Sequence, residues 1–108
     1  MQVWIREARP TDIPEMVGIC SNTFIEGARH PLVAVGIFRG SFEDHPGWQW
    51  VAEMDGRVVG FIACNVNRSE GFANINLIGV DPATKGAGVG GKLLKTLEAH
   101  CVQSQLKG

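Results

Sequence analysis

Four glycines stand within six residues, Gly86, Gly88, Gly90 and Gly91, bracketed by Lys85 and Lys92. They follow a run, Leu77-Ile78-Gly79-Val80-Asp81-Pro82, that ends a strand pattern, and they precede Leu93 and Leu94, which begin a helical one. A glycine-dense loop at such a junction leaves main-chain N–H groups unpaired and lets a ligand approach the backbone without meeting a Cβ. The positive end of the helix dipole lies behind those groups, so the chemistry indicated is capture of a phosphate or pyrophosphate. Lys85 can add a charge-assisted contact, less directional than an arginine's.

The elements that must position this loop can be read from periodicity. Residues 3–8 suggest an opening strand. Pro10-Thr11-Asp12 resembles a helix start, and Ile13, Met16, Val17, Cys20 and Phe24 recur at helical spacing behind it. The segment 31–38 is apolar on every side; a short helix from Pro31 is preferred, though its β-branched content would equally suit a strand, with residues 40–47 as a loop. Trp48, Trp50, Ala52 and Met54 alternate with Gln49, Val51 and Glu53, as on a strand. Asp55-Gly56 then signals a two-residue hairpin turn, because both its residues must take positive φ. Residues 57–67 return as the partner strand. Ser69-Glu70-Gly71 turns again, and residues 72–80 form the next strand, Ile75 and Leu77 on one side and Asn74, Asn76 and Ile78 on the other. Pro82 closes it. A last helix runs from near Gly88 to about Gln105, with Leu94, Leu97 and Cys101 on its apolar face beside Leu93 and Val102.

The 108 residues suit one domain with a real core. A net charge of −1 gives no electrostatic reason to expect nucleic acid or an anionic membrane as partner. No apolar run reaches the roughly 20 residues that span a bilayer, and no signal peptide is read. Cys20, Cys64 and Cys101 lie far apart without a Cys-x-x-Cys pair, so buried thiols in a reducing, cytoplasmic setting are expected. His30, His45 and His100 lack metal-ligand spacing, and no metal site is expected.

The glycine spacings fit three loop types. Gly86-x-Gly88-x-x-Gly91 satisfies the dinucleotide fingerprint, Gly86-x-x-x-x-Gly91-Lys92 most of a P-loop, and Lys85-x-x-Gly88-x-Gly90 an acyl-CoA pyrophosphate loop. A dinucleotide fold runs its strand directly into the first glycine, whereas Asp81 to Lys85 intervene here. A P-loop needs Ser or Thr after its lysine, and Leu93 follows Lys92. Both want a parallel sheet, yet a hairpin meander precedes this loop. With Val80-x-Pro82 ahead of the glycines, and Arg57-Val58-Val59-Gly60-Phe61-Ile62-Ala63 as a third strand, the chain resembles the N-terminal and central part of a GNAT-family N-acetyltransferase.

That resemblance implies an α/β fold of α+β type: antiparallel strands 1–4 flanked by helices in one domain over residues 1–108, ending after the main helix with the family's later strands absent. It implies acetyl-CoA as co-substrate, with the pantetheine arm on Ile78, Gly79 and Val80. The pyrophosphate falls to Lys85, Gly86, Ala87, Gly88, Val89, Gly90 and Gly91. The reaction would pass an acetyl group to an amine of a small molecule or peptide; the alternative is a CoA-binding or assembly module without the chemistry. Many members use a tyrosine as proton donor, and this chain has none. Glu26 and Glu53 as bases, and Asn74 and Asn76 as substrate contacts, are weak candidates, and no catalytic residue is assigned. An open fourth-strand edge is an aggregation hazard, so a homodimer covering it is expected.

Overall fold

The computed structural model describes residues 2–22, 30–84 and 86–106. Four antiparallel strands form one sheet in chain order: β1 (Trp4–Glu7), β2 (Gln49–Met54), β3 (Arg57–Asn67) and β4 (Phe72–Val80). The hairpin turn is as expected, Asp55 at φ 52° and Gly56 at φ 76°. Helices α1 (Ile13–Ser21) and α2 (Pro31–Asp44) cover one face of the sheet, and α3 (Val89–Gln103) covers the other. Alternation along the strands assigns the side chains. Val51, Val58, Phe61 and Ala63 meet Met16, Cys20, Ala34 and Phe38; Trp50, Ala52, Ile62 and Cys64 meet Val89, Leu93, Leu97 and Cys101.

Several boundaries differ from the sequence expectation. The helix after Pro31 does not stop at Phe38: residues 40–44, expected as loop, are its last turn. Phe38 and Ser41 continue the buried stripe begun by Ala34, and tertiary contact outweighs the two interior glycines. The buried Gln49 fastens that end, its Nε2 donating to Ser41 O at 2.9 Å and His45 O at 2.6 Å. The first helix begins as a 3-10 turn, Pro10–Asp12; Phe24, placed on its apolar stripe, lies outside the described residues. Leu94 and Val102, expected on the apolar face of α3, are exposed, because the buried stripe runs Val89, Leu93, Leu97, Cys101.

The alternation expected in β4 is broken by a bulge. Ala63 pairs with Leu77 but Cys64 with Ile75, which leaves Asn76 as the extra residue. Ile75 therefore lies on the α3 side and Leu77 on the α1/α2 side, not together. A second shift, between Ala52 and Glu53, leaves Val59 extra in β3. Val59 packs in the α3-side core, and Gly60 beside it also lies against α3.

Glu53, considered as an exposed base, is half-buried and bound. Arg6 Nε donates to it, while Arg6 Nη1 and Nη2 donate to Asp12 Oδ2 and Oδ1 at 2.8 Å. The Arg6 hydrogen bonds hold the Asp12 carboxyl below the usual carboxylate range. This cluster ties β1, β2 and the first turn together.

Candidate functional site

The stretch from Val80 to α3 is built by Asp81. Its N–H donates to Val59 O at 2.8 Å, which anchors the strand end to β3. Its Oδ1 accepts from Ala83 N–H at 3.0 Å, and its carbonyl accepts from Thr84 Oγ1 at 2.8 Å, closing a 3-10 turn over Pro82–Thr84. Ala87 N–H donates to Thr84 O at 3.1 Å, so this amide is engaged within the loop. Gly88 then caps α3 at φ 74°, ψ 21°, a conformation that strains any residue with a Cβ.

A glycine cap supplies no side-chain oxygen, and α3 carries no acid in its first turn. Among the described residues nothing therefore compensates the orphan N–H groups and dipole at the start of the helix. Among the described residues no acceptor meets the N–H of Val89, Gly90 or Gly91. By contrast, His30 Nδ1 caps α2 by accepting from Leu32 N–H at 3.2 Å.

Tight packing does not explain the glycines. A Cβ at Gly86, Gly88 or Gly91 would meet no neighbour within 4 Å, and one at Gly90 only Val80 Cγ2 at 3.8 Å. Gly90 and Gly91 lie in the first helical turn, where glycine costs roughly 1 kcal/mol against alanine. The open space over them fits a bulky anion resting on the backbone. Where glycine does serve packing is Gly60: a Cβ there would lie 2.7 Å from Val89 Cγ1 and 3.3 Å from Gly79 O. Gly60 thus lets the first turn of α3 seat against β3 and β4, and that seat aims the loop. A glycine inside an apolar strand run was the available signal for it.

Gly79 is buried, and Ile78 and Val80 are half-buried, all just ahead of the loop. β4 pairs with β3 alone, so among the described residues its outer edge is unpaired. Lys85 and Glu26 lie outside the described residues. Asn74 and Asn76 are exposed on β4; Asn74 pairs with Asn65, which lines the same cavity beside α2 as Asn76.

Other chemistry can be set aside on position. Burial pushes the Cys20 thiol up to about 11 and the Cys64 thiol up to about 12, which removes both as nucleophiles near neutral pH. His45 Nδ1 accepts from Val66 N–H at 3.2 Å. His100 sits edge-on against Trp48 and Trp50, with centroids 4.5 and 5.1 Å away, so all three serve as packing. Among the described residues no group of His, Cys, Asp and Glu could hold a metal ion, and no helix is long and apolar enough to cross a membrane.

A family model, the acetyltransferase (GNAT) family, matches residues 13–108. The chain belongs to the GNAT family. GNAT proteins use acetyl-CoA as co-substrate. No curated protein matches the sequence. Among solved structures, Ard1 from Thermoplasma volcanium superposes with a TM-score of 0.83 at 25% identity, covering 98% of this chain and 68% of its own. A Brucella melitensis GNAT acetyltransferase in complex with acetyl-CoA gives 0.76 at 24% identity, over 97% of this chain and 71% of its own. A longer Pyrococcus horikoshii structure gives 0.81 at 25% identity, over 94% of this chain and 35% of its own. The chain thus spans from about one third to under three quarters of the GNAT structures it matches.

Proposed function

We propose that this chain binds acetyl-CoA and transfers its acetyl group to an amine. The observation that supports this most is the uncapped start of α3, where glycine stands in open space behind a strand with a free edge. Gly86, Gly88, Val89, Gly90 and Gly91, with Lys85, hold the pyrophosphate by main-chain donors. Ala87 contributes shape, its amide being bonded to Thr84. Ile78, Gly79 and Val80 hold the pantetheine arm along the outer edge of β4, as a strand added to the sheet. A free N–H there also polarises the thioester oxygen.

The acceptor nitrogen, neutral when it attacks, forms a C–N bond as the C–S bond breaks. One proton leaves the nitrogen and one reaches the sulfur. Both protons are exchanged with solvent. The engagement of Glu53 by Arg6 favours a second reading, a CoA-binding module without catalysis. The unpaired β4 edge, beside exposed Ile75 and Leu94, supports a homodimer that covers it. The buried thiols suit a reducing compartment, the cytoplasm.

Thermal-shift measurement with CoA, acetyl-CoA, pantetheine, ATP and NADH tests the site. CoA and acetyl-CoA should raise Tm by roughly 10–20 °C at 100 times Kd, where linkage supplies about 2.7 kcal/mol. Pantetheine, lacking the pyrophosphate, should raise it far less. Equal shifts with pantetheine and CoA would remove the loop from the site. Thiol release from acetyl-CoA with added amines separates the enzyme from the silent module. Light scattering showing a stable monomer at micromolar concentration would sink the dimer.

A further inference from the structure

The two edges of the sheet are built differently. β1 is four residues long and carries Arg6 and Glu7. β4 is nine residues long, with no charge and no proline from Phe72 to Val80, so nothing on its edge repels another strand. Ile78 to Val80 are assigned above to pantetheine. The first half of the strand has no such assignment, and Phe72, Ala73 and Ile75 wall an apolar cavity of about 450 Å3 with Leu94 and Leu97 of α3.

The hydrogen bonds of β3 fix which way this half-strand faces. Val66 N–H donates to His45 Nδ1 at 3.2 Å and Cys64 N–H to Trp48 O at 3.1 Å, both on the β2 side. Val66 pairs with Ala73, and Cys64 with Ile75. In an antiparallel ladder such pairs exchange no bonds, so Ala73 and Ile75 turn their own N–H and C=O to the outer edge. Their side chains, one small and one large, lie on the α3 side. Asn74 between them points to the other face.

From this alternation we infer that a second copy of the chain adds its own β4 here, antiparallel about a two-fold axis at Asn74. Ala73 of each copy exchanges two main-chain hydrogen bonds with Ile75 of the other, and the small alanine leaves room for the isoleucine, which closes the cavity against Leu94. Asn74 stands opposite its own counterpart, amide against amide. The neighbouring registers fail. Ala73 opposite Ala73 would put Ile75 against Gly71, a turn residue at φ 76°. Ile75 opposite Ile75 would draw the Asn76 bulge into the ladder and set Ala73 against Leu77, whose side chain is on the other face. Charge fits as well. Glu98 stands at the rim of the cavity and Lys95 one turn before it on α3, both exposed and neither with an ion-pair partner among the described residues. The same axis reverses α3, which brings Glu98 of each copy level with Lys95 of the other. A net charge of −1 per chain opposes the association little.

This inference rests on the dimer reading above and gives it a register. Pairing ends at Asn76, because beyond Phe72 the second copy turns at residues 68–71. Ile78 to Val80 keep a free edge, so cofactor and second copy share one strand without competing.

The test uses the full 108-residue chain, whose own cysteines are buried. In this register the two Asn74 Cα atoms lie about 4.5 Å apart, within reach of a disulfide. Asn76 lies opposite Phe72, roughly 13 Å along the strand from its counterpart. Asn74→Cys should therefore form a reductant-sensitive covalent dimer under mild oxidation, about tenfold faster than Asn76→Cys or more. Ile75→Lys should raise the dimer dissociation constant about tenfold or more in sedimentation velocity, since a two-fold axis places the change at the interface twice. The cross-linked Asn74→Cys dimer should keep the CoA-induced thermal shift of the wild type. A wild type that sediments as a monomer at every concentration overturns the dimer reading and this register with it. A dimer in which Asn76→Cys links as fast, which Ile75→Lys leaves intact, or whose linked form loses the CoA shift overturns the register and leaves the dimer reading standing. A wild type without a CoA shift sinks the cofactor reading alone, and the cross-linking rates with Ile75→Lys still decide the register.

Discussion

Gly60→Val is expected to lower Tm by about 5–15 °C and to abolish the CoA-induced shift together with it. The new Cβ would fall 2.7 Å from Val89 Cγ1, 3.3 Å from Gly79 O and 3.4 Å from Leu93 Cδ1. None of these can yield cheaply. Val89 and Leu93 are buried in the α3-side core, and Gly79 O belongs to the neighbouring strand. Overpacking of that kind costs about 1–3 kcal/mol, and each kcal/mol moves Tm by roughly 4–8 °C in a domain of this size. The alternative to strain is for the first turn of α3 to lift away from β3. That movement displaces the N–H groups of Val89, Gly90 and Gly91 from the line of β4. Differential scanning fluorimetry with and without CoA reads both consequences. A variant that loses stability but keeps the full CoA shift would show that the seat does not aim the loop.

The sequence carried the meander, the hairpin turn and the final helix because each rests on a local signal. Asp55-Gly56 needs positive φ whatever surrounds it, and Leu94, Leu97 and Cys101, with Leu93 beside them, recur at helical spacing. The conformation of the glycine loop was legible for the same reason: Gly86 and Gly88 stand at positive φ, which glycine marks directly. What was not legible depends on partners distant in sequence. Residues 40–44 continue α2 because Ser41 and His45 are held by Gln49, which no local preference in that segment announces. Leu94 has the same character as Leu93, but only the sheet decides which of them is buried. The bulge at Asn76 left a trace in the doubled Leu77-Ile78, where strict alternation fails. Its consequence, the parting of Leu77 to the α1/α2 side from Ile75 on the α3 side, appears only once β3 is laid beside it. Glu53 looked like an exposed carboxylate near a turn; Arg6, 47 residues away, makes it a structural ion pair.

Gly91→Glu should separate stability from binding by moving them in opposite directions. Gly91 is exposed in the first turn of α3, and a Cβ there meets nothing within 4 Å. Replacing glycine by glutamate gains helix propensity, and an acid near the helix N-terminus adds about 0.3–1 kcal/mol against the dipole. The folded protein should therefore gain about 1 kcal/mol, seen as a rise in Tm of roughly 4–8 °C. The same carboxylate occupies the space assigned to the pyrophosphate and opposes its charge. Even through a high effective dielectric, like charges a few ångströms apart cost on the order of 1–4 kcal/mol, so CoA affinity should fall by about fivefold or more. Gly91→Gln, similar in size and uncharged, divides the loss between bulk and charge: it should weaken CoA less, and raising salt should narrow the gap between the two variants. Isothermal titration of CoA into wild type and both variants, at two ionic strengths, measures this. If Gly91→Glu were both more stable and equally good at binding CoA, no anion would sit at the start of α3. The free glycines would then need another explanation.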